Sequence, residues 1–257
     1  MRFIPLGSGS RGNATLVESG STKLLVDAGL SARALGNRLD AVDVAAGEID
    51  FILLSHDHGD HVRGAERFSR THGVPVVCSI QTLEAMDRSH QHFASWAPLS
   101  ENGPMTLGDC EVESFPVPHD AARPVGFLIN GEGLRIGMAT DLGYASTLVL
   151  ERLRGCHLVM IESNHDAEML WNGPYPWHLK QRVAGRTGHL SNDDAASLLR
   201  DVVDDSCLAV VLAHLSEQNN TPELARGAAA RALAEAGSKR VAMRVAAVNR
   251  PTPAVKL

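Results

Sequence analysis

Cysteine, aromatic side chains, excess positive charge and long apolar runs are all scarce in this chain, and each scarcity removes a class of explanation. Its 257 residues hold four cysteines, Cys78, Cys110, Cys156 and Cys207, far apart and without a C-x-x-C pair. That spacing excludes a disulfide framework and a cysteine-ligated zinc cluster. Cys78 and Cys207 sit in the apolar runs VPVVC and CLAVVLA, so buried reduced thiols are expected. No apolar run approaches the roughly 18–20 residues that cross a bilayer, so no membrane span is expected. The opening MRFIPLGSGSRGN has an apolar stretch of only about four residues, too short for a signal peptide, and a cytoplasmic protein is expected. The net charge of −6 argues against coating nucleic acid by charge alone, while leaving room for a local basic groove.

What is present is a rhythm of short β-branched runs ending in Gly, Asp or His, mixed with alanine-rich helical stretches. Strands are expected at RFIPL, ATLVES, KLLVDAG, DFILLSH, VPVVC, EVESFPVPH, PVGFLIN, LRIGMATD, HLVMIES, CLAVVLAH and RVAMRVA. Helices are expected at about 31–39, 61–72, 81–88, 145–154, 165–171, 176–184, 192–204 and 221–236. Asn192 is read as the cap of the seventh, and Thr221-Pro222 opens the last, which Gly237 ends. Strands come first in pairs and then with helices, and the pattern recurs after about residue 105. With no linker in view, this predicts one α/β (α+β) domain over 1–257, a four-layer αββα sandwich.

His56, His119, Asp141 and His214 each fall at or just beyond the C-terminal end of an expected strand. Strand ends are where rigid scaffolds hand residues to loops. The first of these opens the stretch SHDHGDH, Ser55 to His61. His56 and His58 would be splayed by roughly 200° on a helix, so they can serve one ion only from an extended or turning segment, which Gly59 suits. Asp60 and His61 point elsewhere, toward a second ion. With His119, Asp141 and His214 the set reaches seven N and O ligands, too many for one tetrahedral zinc and right for two ions sharing a carboxylate. Two divalent transition-metal ions per chain are expected, and zinc, manganese and iron all suit such donors. A pair of this kind lowers the pKa of water to about 7 and so supplies a nucleophile without serine or cysteine.

These residues resemble the metallo-β-lactamase superfamily of hydrolases. The resemblance implies that His56, His58 and His119 hold one ion, that Asp60, His61 and His214 hold the other, and that Asp141 lies between them; it also gives Asp60 a place in catalysis. The segments SGSRGN, LLVDAGLS, PHDAARPVGF, ATDLG, ESNHDAEML, GHLSN and LAHLSEQNN, taken in order, are similar to the YycJ/WalJ-type branch, described as DNA exonuclease or phosphodiesterase-like. That branch implies a DNA nuclease, 5′–3′ exonuclease-like, with nucleic acid as its substrate.

The fold alone does not choose the substrate. WNGPYPWHLKQRVAGRTGHLSN, residues 171–192, carries Lys180, Arg182 and Arg186 and no acidic residue, and holds three of the five Trp and Tyr residues. Cations interleaved with aromatics suit a nucleic-acid strand; they equally suit a helical hairpin with packed rings and a solvated basic face. GHLSN resembles the segment of tRNase Z-like enzymes whose histidine protonates the leaving oxygen, which points to His189 as the general acid, with His165 the second candidate. Glu162 could orient such a histidine. Arg11 in SGSRGN, and Ser216, Asn219 and Asn220 beyond His214, are candidate phosphate contacts. The competing readings are a thioester or lactone hydrolase of the glyoxalase II kind, a di-iron redox protein, and a metal-bound binding module. The oligomeric state is left open.

Overall fold

The computed structural model describes residues 1–86, 92–101, 103–238 and 240–257. Strands β1 Arg2–Gly7, β2 Ala14–Ser19 and β3 Thr22–Val26 form an antiparallel meander, and β4 Phe51–Leu53, β5 Val76–Cys78 and β6 Trp96–Pro98 continue the sheet in parallel. A second meander, β7 Met105–Leu107, β8 Cys110–Pro116, β9 Val125–Gly131 and β10 Leu134–Ala139, is followed by parallel β11 Leu158–Glu162, β12 Ala209–Ala213 and β13 Ala242–Val245. The last strand, β14 Val255–Lys256, returns to pair with β1, so that each sheet has seven strands among the described residues.

Helices α1 Ala32–Asp40, α3 Ala65–His72 and α4 Ile80–Ala85 cover the first sheet, after a short α2 Gly59–Val62. Helices α5 Thr147–Leu153, α8 Asn192–Val202 and α9 Pro222–Glu235 cover the second, and α6 Ala167–Asn172 and α7 Trp177–Val183 form a hairpin beyond β11. The result is the expected αββα sandwich. Inner strands such as β3, β11 and β12 are buried on both faces and read as continuous apolar runs, whereas β8 and β13 expose alternate residues. In β3, Leu24 and Val26 point into the layer between the sheets, with Phe127 and Met160, while Leu25 packs under α1 and α3 with Leu35 and Phe68. In β11, Leu158 and Met160 face that central layer and Val159 and Ile161 face α5 and α8. All four cysteines are buried.

Three expectations need correction. The helix read over 61–72 breaks into α2 and α3 at Gly64, whose position would put a Cβ 2.0 Å from the carbonyl oxygen of Leu30. The Gly64 N–H leaves the helical ladder and donates instead to the Ala28 carbonyl at 2.8 Å. Asn192 does not cap α8: Ser191 does, accepting from Asp194 N, while Asn192 turns inward to Ser163 and Asn220. The short strands β6, β7 and β14 carried no pattern long enough to read. Of the helix expected at 81–88, residues 87 and 88 lie outside the described residues. Thr221 does cap α9, with Pro222 in its first turn.

Candidate active site

The ligand candidates reach one place because strands from both sheets end at it. His56 follows β4, His119 follows β8, Asp141 follows β10 and His214 follows β12 directly. Asp141 (φ 57°), His214 (φ 53°) and Asp27 (φ 60°), which follows β3, all adopt left-handed backbone conformations that L-residues disfavour. Such strain persists only where surrounding contacts over-determine it, and it gathers at functional sites.

Ligand atoms of His56, His58 and His119 lie within 4.8 Å of one another, as do those of Asp60, His61 and His214, and those of His56, His61 and Asp141. Asp141 therefore stands where the two triads meet: its Oδ2 is 3.2 Å from His61 Nε2 and its Oδ1 is 3.4 Å from His214 Nδ1 and 3.9 Å from His119 Nε2. His56 Nε2 is buried with no hydrogen-bond partner, and Asp141 Oδ2 is buried with only the His61 ring beside it. A buried polar atom left unpaired costs about 1–3 kcal/mol, and such an atom aimed into a nest of nitrogen and oxygen donors fits a divalent cation.

Residues one layer out fix each ring. Asp27 Oδ2 accepts from His61 Nδ1 at 2.8 Å and from Ser55 Oγ at 3.0 Å, and Asp27 Oδ1 accepts from Ser55 N at 2.8 Å. Ser55 Oγ is in turn 3.0 Å from His56 Nδ1. His119 Nδ1 meets the carbonyl of Gly188 at 3.1 Å. These contacts leave the Nε2 atoms as ligands, the arrangement by which second partners set the tautomer of a metal-binding histidine. Asn13 clamps the motif loop, donating its backbone N–H to the Asp60 carbonyl at 2.7 Å, and Ser8 Oγ accepts from His214 N at 2.7 Å. Gly29 is required beneath it, since a Cβ there would sit 1.6 Å from the Asp60 oxygen.

Glu162 is fully buried and joins four donors. Its Oε1 accepts from Leu142 N and Leu190 N, both at 2.9 Å, and its Oε2 accepts from His189 Nδ1 at 3.1 Å and His214 Nδ1 at 3.3 Å. Burial opposes its charge, but the two histidines prevail and hold its carboxyl at about 2. Burial likewise opposes charge on Asp60, yet the His214 hydrogen bond and the nearby His61 hold it at about 2. Burial pushes His214 down, and Asp141, Asp60 and Glu162 overcome it and raise the ring to about 10. His56, where burial dominates, is driven well below its ordinary value. The cluster is thus balanced by ring protons, and those protons are what a bound cation displaces.

A cavity of about 340 Å³ opens over the cluster. His58, Asp60, His119, Asp141, His189 and His214 all line it, as do Tyr175, Arg182 and Ser216. His189 is anchored through Nδ1, which leaves Nε2 free to meet a substrate. His165 is buried at 3% exposure and does not line the cavity, so of the two candidate acids the structure brings only His189 to the ligands. Arg182 reaches the cavity with its Nε 2.7 Å from Asp120 Oδ2. Lys180 instead donates to the Trp171 carbonyl, and Arg186 stacks 4.4 Å over the Tyr144 ring. Arg11 points outward to Glu217 at 2.7 Å. Asn219 and Asn220 are buried and do not line the cavity; the Asn220 amide is spent on Ser163, Asn164 and Asn192, and the Asn219 main-chain carbonyl accepts from Asp166 N while its side-chain amide has no partner. Asp27, Asn13, Ser8 and Asp120 were missed as site residues. Asp27 had a visible signal, an acid at the end of a strand, and Ser8, Asn13 and Asp120 stood in the singled-out segments SGSRGN and PHDAARPVGF without being picked from them.

Residues 22–214 match the family described as a beta-lactamase superfamily domain. The chain is 37% identical over 243 residues to exodeoxyribonuclease YycJ of Bacillus anthracis, covering 92% of this chain and 90% of that protein. It is 35% identical over 239 residues to exodeoxyribonuclease WalJ of Streptococcus pneumoniae, covering 91% and 89%. The crystal structure of the metallo-beta-lactamase fold protein YhfI from Bacillus subtilis superposes with a TM-score of 0.74 over 98% of this chain and 99% of that one, at 15% identity, a likeness of fold.

Proposed function

The chain belongs to the metallo-β-lactamase superfamily and to its YycJ/WalJ branch, and on that footing we propose that it is a metal-dependent exodeoxyribonuclease working with two divalent ions. His56, His58 and His119 would hold one ion, Asp60, His61 and His214 the other, and Asp141 both. When bound, the pair supplies a nucleophile from water at neutral pH and neutralises charge that develops on the phosphate. The donors suit zinc, manganese or iron.

The observation that carries the phosphodiester reading is His189. It faces the cavity beside the ligands while the buried Glu162 carboxylate grips its Nδ1. Burial lowers its affinity for a proton, and Glu162 and Asp141 outweigh burial and raise it. A protonated imidazole with Nε2 free can hold the phosphate and donate its proton to the departing sugar oxygen, a poor leaving group without one. Arg182 at the cavity wall offers a planar guanidinium to a phosphate, and Asp120 keeps it extended in that direction. Ser216 adds a hydroxyl at the rim. Lys180 and Arg186 contribute charge along the strand's approach, and Arg11 at its margin. A thioester hydrolase of the glyoxalase II kind would use the same ligands but has no need of the His189–Glu162 pair, because a thiolate departs unaided.

The test is hydrolysis with Mn²⁺ and with Zn²⁺ of end-labelled single- and double-stranded DNA, RNA, a small phosphodiester and S-lactoylglutathione. Stepwise shortening of DNA supports the reading. Turnover of S-lactoylglutathione with intact DNA overturns it.

A further inference from the structure

Aromatic side chains are few here, and every phenylalanine is buried or half-buried. The exposed aromatics among the described residues are Trp171 at 44%, Trp177 at 64% and Tyr144 at 38%. Trp171 and Trp177 lie together, with ring centroids 5.6 Å apart and planes tilted by 43°. Two large apolar rings held side by side in water are costly unless something covers them.

The backbone holds this pair in place. Trp171 is in α6 and Trp177 opens α7, and only Gly173-Pro174-Tyr175-Pro176 separates the helices. The two prolines fix φ, and Gly173 sits where a Cβ would lie 2.4 Å from the Met169 carbonyl oxygen. Lys180 Nζ donates to the Trp171 carbonyl at 2.6 Å and ties the end of α6 to α7. The same hairpin forms one wall of the active-site cavity through Tyr175, Leu179, Arg182 and Val183. Trp171 and Trp177 do not line the cavity themselves, but they stand on the same short stretch of chain as the residues of that wall.

We propose that Trp171 and Trp177 form a stacking platform for unpaired bases of the DNA strand that is cut in the neighbouring cavity. This rests on the nuclease reading above. Base faces are open to an aromatic ring only when the strand is unpaired, and stacking is tolerant of sequence, as an exonuclease requires. Charge favours this occupant over a second copy of the chain. Residues 171–192 carry Lys180, Arg182 and Arg186 with no acidic residue; Asp120 offsets Arg182 and Glu168 lies earlier on α6, and the cations left over favour a phosphate strand over a two-fold contact that would set them against their own copies. A preformed platform also binds without first ordering its rings.

The experiment compares the wild-type chain with W171A/W177A and W171F/W177F. KM and kcat are measured on single-stranded oligonucleotides of increasing length and on bis-p-nitrophenyl phosphate, and tryptophan fluorescence is titrated with oligothymidylate in EDTA. The alanine pair should raise KM for long strands roughly 5- to 150-fold, the worth of one stacked base, while leaving kcat and the small ester unchanged. The phenylalanine pair should restore most of the loss, and oligothymidylate should quench wild-type fluorescence. An unchanged KM without quenching overturns the proposal. So does an equal loss on the small ester, which means a structural role, or a fall in sedimentation mass on W171A/W177A, which means an interface between copies. If the wild type cuts no DNA at all, the nuclease reading fails by itself, and the fluorescence titration still decides whether strands stack here.

Discussion

Replacing Glu162 with glutamine changes almost no volume and tests the centre of the site. The amide oxygen can still accept from Leu142 N and Leu190 N, so the loops after β10 and before α8 keep their anchors. The other end becomes an N–H donor facing two histidine Nδ1 atoms. Both rings must then turn their protons to Nε2. Two hydrogen bonds to a charged group are lost, at about 1.5–3 kcal/mol each, which caps the destabilisation at roughly 3–6 kcal/mol. Relief of the carboxylate's own burial subtracts from that, so the variant should fold. Function should suffer more. His214 loses the orientation that frees its Nε2 as a ligand, which should weaken metal binding about 10- to 100-fold. His189 loses both its grip and the carboxylate that favours its protonated form, which should slow DNA cleavage roughly 10²- to 10⁴-fold even at saturating metal. Metal titration followed by single-turnover cleavage separates the two effects. A folded E162Q protein with wild-type metal affinity and DNA turnover would refute the assignment of both histidines to this carboxylate.

Asp141→Ala should lose most bound metal and nearly all hydrolysis, because that carboxylate stands where the two triads meet; metal analysis of the purified variant checks it. His189→Ala should keep its metal but slow DNA cleavage roughly 10²- to 10⁴-fold, with a much smaller loss on a p-nitrophenyl diester whose leaving group needs no proton. Equal losses on the two substrates would make His189 a positioning group. Gly29→Ala should destabilise by on the order of 3 kcal/mol, since its methyl meets backbone and not a movable side chain. In a chain of this size that is a fall in Tm of roughly 6–12 °C, readable by calorimetry.

The cluster of seven candidate ligands was legible because strands advertise their ends: an apolar run followed by His or Asp is visible without a structure, and SHDHGDH concentrates the signal. The four-layer plan was legible for the same reason. What holds the ligands was mostly not. Asn13 and Ser8 act through one amide and one hydroxyl placed by tertiary folding; SGSRGN marked their loop, but nothing in it told which residues reach the cluster. Asn219 and Asn220 misled in the opposite direction, since polar residues before a helix read as ligand contacts until Asn220 is seen buried against Ser163 and Asn192. Gly64 broke a helix for a reason lodged in the carbonyl of Leu30, far outside any local window.

The two sheets share one order of assembly, antiparallel strands first and parallel strands after, and the ligands are divided between them. His56, His58, Asp60 and His61 come from the stretch that builds the first sheet, and His119, Asp141 and His214 from the stretch after Met105 that builds the second. During synthesis, then, the first sheet emerges with an incomplete claw that neither triad can close. Each triad needs a residue from the second sheet's stretch, so a cation taken up at the end would act as a rivet through the seam between two separately built leaves. Chelation should accordingly loosen the seam before it melts either leaf, with hydrogen exchange rising first in β4 and β10 near the ligand loops and last in the strands packed deepest between the sheets.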